Sequence, residues 1–213
     1  MDTLHEYVRE NKLHLVQEFV GSHPECRAKS DADGRTPLMW ALSETQNVEL
    51  ARALLGPGTD IDAADSAGYT ALHIAAAIGA ELTSLVLAQS PQVDSRTTTG
   101  QTPLMLGVSK QHLRVVELLL DAGASPKAKD RRQVTPLMRA VAVGNGSLTE
   151  LLLARGAAVN ATDSQGWSAA HYAYAEGRKD VLDVLVAHGA DLNKRSREEE
   201  LPRDVAPLGF SYK

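Results

Sequence analysis

A short string, Thr36-Pro37-Leu38-Met39, returns along the chain as Thr70-Ala71-Leu72-His73, Thr102-Pro103-Leu104-Met105, Thr135-Pro136-Leu137-Met138 and Ser168-Ala169-Ala170-His171. The intervals are 34, 32, 33 and 33 residues. No other feature constrains the fold as strongly, because a repeat of this length is one supersecondary unit that buries its apolar face only against its neighbours. One more step forward lands on Leu201-Pro202-Arg203-Asp204, a worn copy, and one step back lands on Thr3-Leu4-His5. Units follow at 1–30, 31–64, 65–96, 97–129, 130–162, 163–195 and 196–213, within a single domain over 1–213. A chain of 213 residues falls short of seven full periods, so the two end units are expected to be trimmed.

Local chemistry supports a helix after each string. Asp33-Gly34 signals a turn, Thr36 offers its hydroxyl as an N-cap, and Pro37 suits the first helical position, where no N–H is needed. A period of 33 with a T-P-L-H-like core marks the ankyrin repeat, a β-turn followed by two helices. The expected fold is therefore an all-α ankyrin-repeat solenoid of about seven helix-turn-helix units with β-hairpin fingers. In the first unit the inner helix is expected near 3–11 and the outer near 13–21. The second unit carries one extra residue, assigned near Thr45-Gln46-Asn47, and the third lacks one near Gly79-Ala80-Glu81. Gly123, Gly156 and Gly189 suit left-handed helix ends. The last unit has lost its tip glycine, so a degraded hairpin, one short helix near 202–206 and a frayed tail over 209–213 are expected.

Composition narrows the function. Net charge is −5, from 22 basic and 27 acidic residues, which argues against a nucleic-acid binder, since that needs clustered Lys and Arg. Cys26 is the only cysteine and supports neither a disulfide framework nor a thiolate zinc site. No secretory leader pattern and no apolar run long enough to span a membrane is present, so a cytoplasmic and nuclear location is expected. Asn145-Gly146-Ser147 and Asn160-Ala161-Thr162 match a glycosylation sequon but read as turn residues. His73 and His171 sit in the repeat core, where Met39, Met105 and Met138 replace them; packing tolerates that exchange and a ligand set does not. His5, His14, His23, His112 and His188 read as dispersed. No phosphate loop, nucleophile elbow or HExxH occurs, so no enzyme and no cofactor are expected.

Function is then sought where the copies differ. Hairpin tips carry Arg35, Tyr69, Gln101, Val134 and Trp167. Two places past the core Leu stand Trp40, Ile74, Leu106, Arg139 and Tyr172, and six past it Glu44, Ile78, Lys110, Val143 and Glu176. Four of nine aromatic residues fall in this set, and Trp, Tyr and Arg are the types enriched at binding hot spots. A second reading packs Trp40 and Tyr172 between inner helices as core. Charge also sorts along the sequence, with Glu6, Glu10, Asp33 and Glu44 early and Lys110, Lys127, Lys129, Arg131, Arg132 and Arg139 in the middle. Such a distribution would orient a protein partner of mixed charge, with aromatics setting affinity and charges setting register.

Three segments resemble the gankyrin family and its fungal counterparts: Asp31-Ala32-Asp33-Gly34-Arg35-Thr36-Pro37-Leu38-Met39-Trp40, Lys129-Asp130 through Arg139 to Gly144-Asn145, and Gly166-Trp167 through Glu176-Gly177. The resemblance covers the whole chain and implies a chaperone that helps assemble the proteasome regulatory particle. It further implies that the concave face grips the C-terminal domain of one AAA ATPase subunit, with the chain monomeric when free. By position, Arg35 and Lys110 would meet acidic residues of that domain, Asp33 and Asp65 would lie near the opposite contacts, and Arg139 matches a family residue. Tyr69 stands where the family usually has Trp. The set expected to bind the partner is thus Asp33, Arg35, Trp40, Asp65, Tyr69, Lys110, Arg139, Trp167, Tyr172 and Glu176. The rival reading is a general ankyrin adaptor, as in a kinase inhibitor or the substrate-recruiting part of a ubiquitin ligase.

Overall fold

Each Thr or Ser of the recurring string begins a helix, and the reason is visible at Thr36. Its hydroxyl accepts the Met39 N–H at 3.3 Å, Pro37 fills the first turn, and Leu38 then points into the core with 1% of its surface exposed. The computed structural model describes residues 3–212. Its chain divides into two compact units, Met1–Thr98 and Thr99–Lys213.

In the first unit the inner layer is α1 (Thr3–Arg9), α3 (Pro37–Trp40) continued by a π-helical turn (Ala41–Thr45), and α5 (Ala71–Ile78). The outer layer is α2 (Leu13–Ser22), α4 (Val48–Leu54) and α6 (Ala80–Leu87). In the second unit α7 (Pro103–Ser109), α9 (Pro136–Ala142) and α11 (Ala169–Ala175) stack as the inner layer. Their partners α8 (Leu113–Asp121), α10 (Gly146–Ala154) and α12 (Lys179–Ala187) stack outside them. Within each unit Leu and Val from both layers meet in the core: Leu4, Leu38, Leu72 and Leu50 in one, Leu104, Leu137, Leu119, Leu152 and Leu185 in the other. Each such side chain contributes roughly 1.5–3 kcal/mol by leaving water. The architecture is an all-α repeat solenoid. Among the described residues there is no strand; the expected β-hairpin fingers are tight turns with isolated bridges at Ala64–Thr70 and Thr162–Ser168.

The two length anomalies have distinct solutions. In the second repeat the extra residue widens the last turn of the inner helix, where the Gln46 N–H reaches the Ala41 carbonyl five residues back at 3.0 Å. The expected site near 45–47 is therefore the end of that π turn. Elsewhere a left-handed residue links inner to outer helix: Asn11, Gln46, Gln111, Gly144 or Gly177. The third repeat dispenses with it, since Gly79 alone separates α5 from α6 and its carbonyl accepts the Thr83 N–H and hydroxyl at 3.1 and 2.8 Å. Gly123, Gly156 and Gly189 adopt the expected left-handed conformation. Asn145 caps α10, and Asn160 bonds Gly189 and Asp191, so both sequon asparagines are turn and capping residues here.

Three expectations need correction. The last fingertip is regular: Ser196 accepts N–H groups from Glu198 and Glu200, while Glu199 takes the left-handed conformation a glycine would have. The short helix expected near 202–206 is present, as a 3₁₀ turn at Pro202–Val205. The tail is not frayed over its described part. Phe210 and Tyr212 meet Tyr174 edge-on, and the Tyr212 hydroxyl donates to Asp183 at 2.9 Å; residue 213 lies outside the described residues. Finally, His5 is not a dispersed histidine. It occupies the core place of His73, is 2% exposed, and its Nε2 bonds the Arg35 carbonyl of the next fingertip at 3.2 Å.

Core histidines thus tie successive repeats. At His171 the Ser168 N–H donates to Nδ1 at 3.1 Å, which leaves the proton on Nε2 to reach the Glu200 carbonyl at 3.3 Å. Burial holds His171 below the ordinary imidazole range, in keeping with that neutral tautomer. Methionine keeps only half of this arrangement. The Met138 sulfur accepts the Thr135 N–H at 3.4 Å, but a thioether has no proton to offer the next tip.

Candidate partner-binding surface

At five fingertips one short polar residue at the start organises the turn, Ser196 in the last and an aspartate in the other four. Asp31, Asp65, Asp130 and Asp163 each use Oδ1 to accept the backbone N–H groups two and four residues ahead, at 2.8–2.9 Å. The turn closes with a bond from the aspartate N–H to the carbonyl of the fourth residue, and the next finger adds an N–H from outside, as Ser66 does to Asp33 at 2.8 Å. Tip glycines lie against that neighbour: a Cβ on Gly68 would come within 2.9 Å of the Thr97 and Thr98 backbone.

The second carboxylate oxygen is the variable part. Nine residues on from each aspartate is the position two past the core Leu. The Trp40 indole N–H donates to Asp31 Oδ2 at 2.7 Å, Arg139 Nη2 to Asp130 Oδ2 at 2.7 Å, and the Tyr172 hydroxyl to Asp163 Oδ2 at 2.7 Å. At Asp65 the ninth residue is Ile74, which has no proton to give. These clamps show in the titration behaviour. At Asp31 burial pushes the carboxyl up, but the Trp40 indole and the Arg35 and Asp33 N–H groups outweigh it and hold the group below its ordinary value. Tyr172 is raised well above the ordinary phenol range, by burial first and by its bond to Asp163 second.

In the first unit, Arg35 stacks its guanidinium over the Trp40 ring, 5.7 Å from the centroid. Arg35, Asp65 and Tyr69 then line a cavity of about 300 Å³ with Ile74 and Ile78. Tyr69 meets His73 edge-on at 5.7 Å. Asp33 is exposed on its tip. This cavity pairs an apolar floor with one cation and one carboxylate. Arg35 has no ion-pair partner among the described residues.

In the second unit, Arg139 and Tyr172 line a cleft of about 550 Å³ together with Arg131, Arg132, Val134 and Met138. Trp167 stacks on His171 at 5.9 Å and meets Tyr172 edge-on at 5.4 Å. Lys110 and Glu176 are exposed at the ends of α7 and α11 and do not line this cleft. Arg139 also reaches the Ser109 hydroxyl at 3.3 Å.

The expected set is therefore split between the two compact units, with Asp33, Arg35, Trp40, Asp65 and Tyr69 in one and Lys110, Arg139, Trp167, Tyr172 and Glu176 in the other. All ten are at least partly exposed. Trp40 and Tyr172 are not packed away as core: each is half-buried, with its polar end held by an aspartate. Sequence reasoning missed Asp31, Asp130 and Asp163, the residues that fix those side chains. The nine-residue spacing of Asp31 and Trp40, Asp130 and Arg139, and Asp163 and Tyr172 was the available signal. Among the described residues no group of three or more His, Cys, Asp or Glu is placed to hold a metal, and no helix is long and apolar enough to cross a membrane.

Comparison with known proteins agrees with this architecture. The family model for ankyrin repeats (three copies) matches residues 4–79, 43–130 and 126–196. Over 138 residues the chain is 36% identical to a protein named "Probable 26S proteasome regulatory subunit p28" from Saccharomyces cerevisiae, which covers 60% of this chain and 58% of that one. Over 104 residues it is 35% identical to Inversin from Gallus gallus, covering 48% of this chain and 9% of the relative. The match thus spans less than two thirds of either relative. Among solved structures, the ankyrin repeat domain of Bcl-3 superposes with a TM-score of 0.85 at 29% identity, covering 99% of this chain and 96% of the other. That of human ASB11 superposes at 0.86 and 21% identity, covering 99% and 94%, a likeness of fold alone.

Proposed function

The chain belongs to the ankyrin-repeat family, whose repeats mediate protein–protein binding, and on that premise we propose that it is a non-enzymatic assembly chaperone for the proteasome regulatory particle. It binds the C-terminal domain of one AAA ATPase subunit of the base, holds that domain until assembly allows release, and is monomeric when free, in cytoplasm and nucleus. The observation that carries this reading is the 36% identity over 138 residues to the yeast protein whose name places it in the 26S proteasome. Geometry supports it locally. Arg35 is aligned by the Trp40 face and has no ion-pair partner among the described residues, and Lys110 is exposed, so both are available to carboxylates of an ATPase domain.

Affinity capture of the full chain from cell extract tests the reading, with regulatory-particle ATPases as the expected prey. Recovery of other complexes but no such ATPase would overturn it. Simultaneous reversal of Arg35 and Lys110 to Glu should weaken capture by about ten-fold or more while leaving the helical signal unchanged. A second reading, a general adaptor, is favoured by the similar level of identity to Inversin; capture of a non-proteasomal assembly in place of the ATPases would select it.

A further inference from the structure

The fifth fingertip carries two arginines that the fold does not use. Arg131 and Arg132 stand where the other tips have Ala32 and Asp33, Ser66 and Ala67, Thr98 and Thr99, Ser164 and Gln165, or Arg197 and Glu198, so this tip alone among them has two cations there. Their backbones do the structural work: the Arg131 N–H donates to the Thr99 carbonyl at 3.0 Å, and the Arg132 carbonyl accepts the Ser164 N–H at 2.8 Å. Both side chains are exposed, and neither guanidinium has an ion-pair partner among the described residues. The carboxylates nearby are already occupied. Asp130 is held by Arg139 and by the Arg132 and Val134 N–H groups; Asp163 is held by the Tyr172 hydroxyl and by the Gln165 and Trp167 N–H groups. The cleft of about 550 Å³ beside them therefore has two unopposed positive charges at its rim, over a floor formed by Val134, Met138 and Ala142.

We propose that this cleft receives an acidic segment of the partner protein, with a carboxylate on Arg131 and Arg132 and a neighbouring aliphatic side chain on the Val134–Met138 floor. Guanidinium forks match carboxylates bidentately, and the floor rewards an apolar neighbour that a bare anion lacks. A nucleic acid is disfavoured by the chain's net charge of −5 and by the shortness of the basic stretch. That the segment belongs to an ATPase domain rests on the reading above; the chemistry of the cleft does not.

Methyl resonances of Met138 and Val134 in the full chain provide the test. A synthetic peptide alternating glutamate and leucine should shift them, and its glutamine counterpart should not. Arg131→Gln with Arg132→Gln, exposed changes that leave the circular dichroism spectrum intact, should weaken the peptide's effect about ten-fold, and raised salt should do likewise. Equal shifts from both peptides, no shift from either, or tighter binding of a single-stranded RNA to the same signals would overturn the proposal. The ATPase domain supplies a second arm. If the wild-type chain binds it and the double variant binds equally well, the cleft is not where that partner docks, and the inference fails while the assembly role stands. If the glutamate peptide binds and no ATPase domain does, the assembly role fails and the cleft stands.

Discussion

The third and fifth fingers have the same backbone and opposite chemistry. Both open on an aspartate whose Oδ1 accepts two turn N–H groups, at Asp65 in the first compact unit and Asp130 in the second. In the fifth, Arg139 locks the other oxygen and the pair is nearly buried, with side-chain exposures of 20% and 7%. In the third, Ile74 offers that oxygen no donor, and Asp65 lines a small cavity with Arg35 and Tyr69. A single position nine residues away thus decides whether a turn-forming carboxylate is an internal clamp or an acceptor open to a partner. Position along the repeat is therefore a poor guide to binding unless the donor at the ninth place is read with it.

The comparison breaks first at the aspartates themselves. Asp130→Ala would leave two tip N–H groups and the Arg139 guanidinium without their acceptor, and should cost about 3 kcal/mol in chemical denaturation. Asp65→Ala removes the same turn bonds without stranding a cation and should cost about 1–2 kcal/mol. Equal losses would mean that the ninth residue adds nothing. Next in size, Tyr172→Phe keeps the ring against Trp167 and deletes only the bond to Asp163, for about 1 kcal/mol. The same variant should remove the last tyrosine to ionise in an alkaline ultraviolet titration, because Tyr172 is held protonated beyond the ordinary phenol range.

Installing the missing donor sharpens the contrast from the other side. Ile74→Arg should bind Asp65, stabilise by up to about 1 kcal/mol and close the cavity beside Arg35. A partner that uses that cavity would lose affinity although the protein gains stability, an outcome readable by combining a melt with a titration. The smallest effect concerns pH. The folded-state pKa of Asp31 is depressed, so its contribution is present above the unfolded value of about 3.9 and is lost as pH falls through the folded one. Trp40→Phe removes the indole donor and should move the acid-unfolding midpoint to higher pH; an unchanged midpoint would deny the indole any part in holding that carboxylate.

The scaffold was legible because its determinants are local. Thr36, Pro37 and Leu38 specify a cap, a first turn and a core residue within three positions, and the string repeats. Placement of the variable residues at the surface was legible too, since it follows from helix phase. What periodicity could not give was the state of each side chain. Arg139 counts as a free cation until Asp130 is seen 2.7 Å away, and Arg35 counts the same way and has no such partner among the described residues. The C-terminal tail was misjudged for a related reason: Phe210 and Tyr212 are ordered by Tyr174 in α11 and Asp183 in α12, about thirty to forty residues upstream, a distance no local pattern spans.

The widened turn at Ala41–Thr45 bears on how such chains change over generations. An added residue there was swallowed by one loosened coil of the inner helix, and Asn47 beyond it still caps α4 and still bonds Asn11 of the preceding repeat at 2.8 Å. A copying error in length need not propagate down a stack of this kind, so insertions can be sampled one repeat at a time while the neighbouring surfaces keep their alignment.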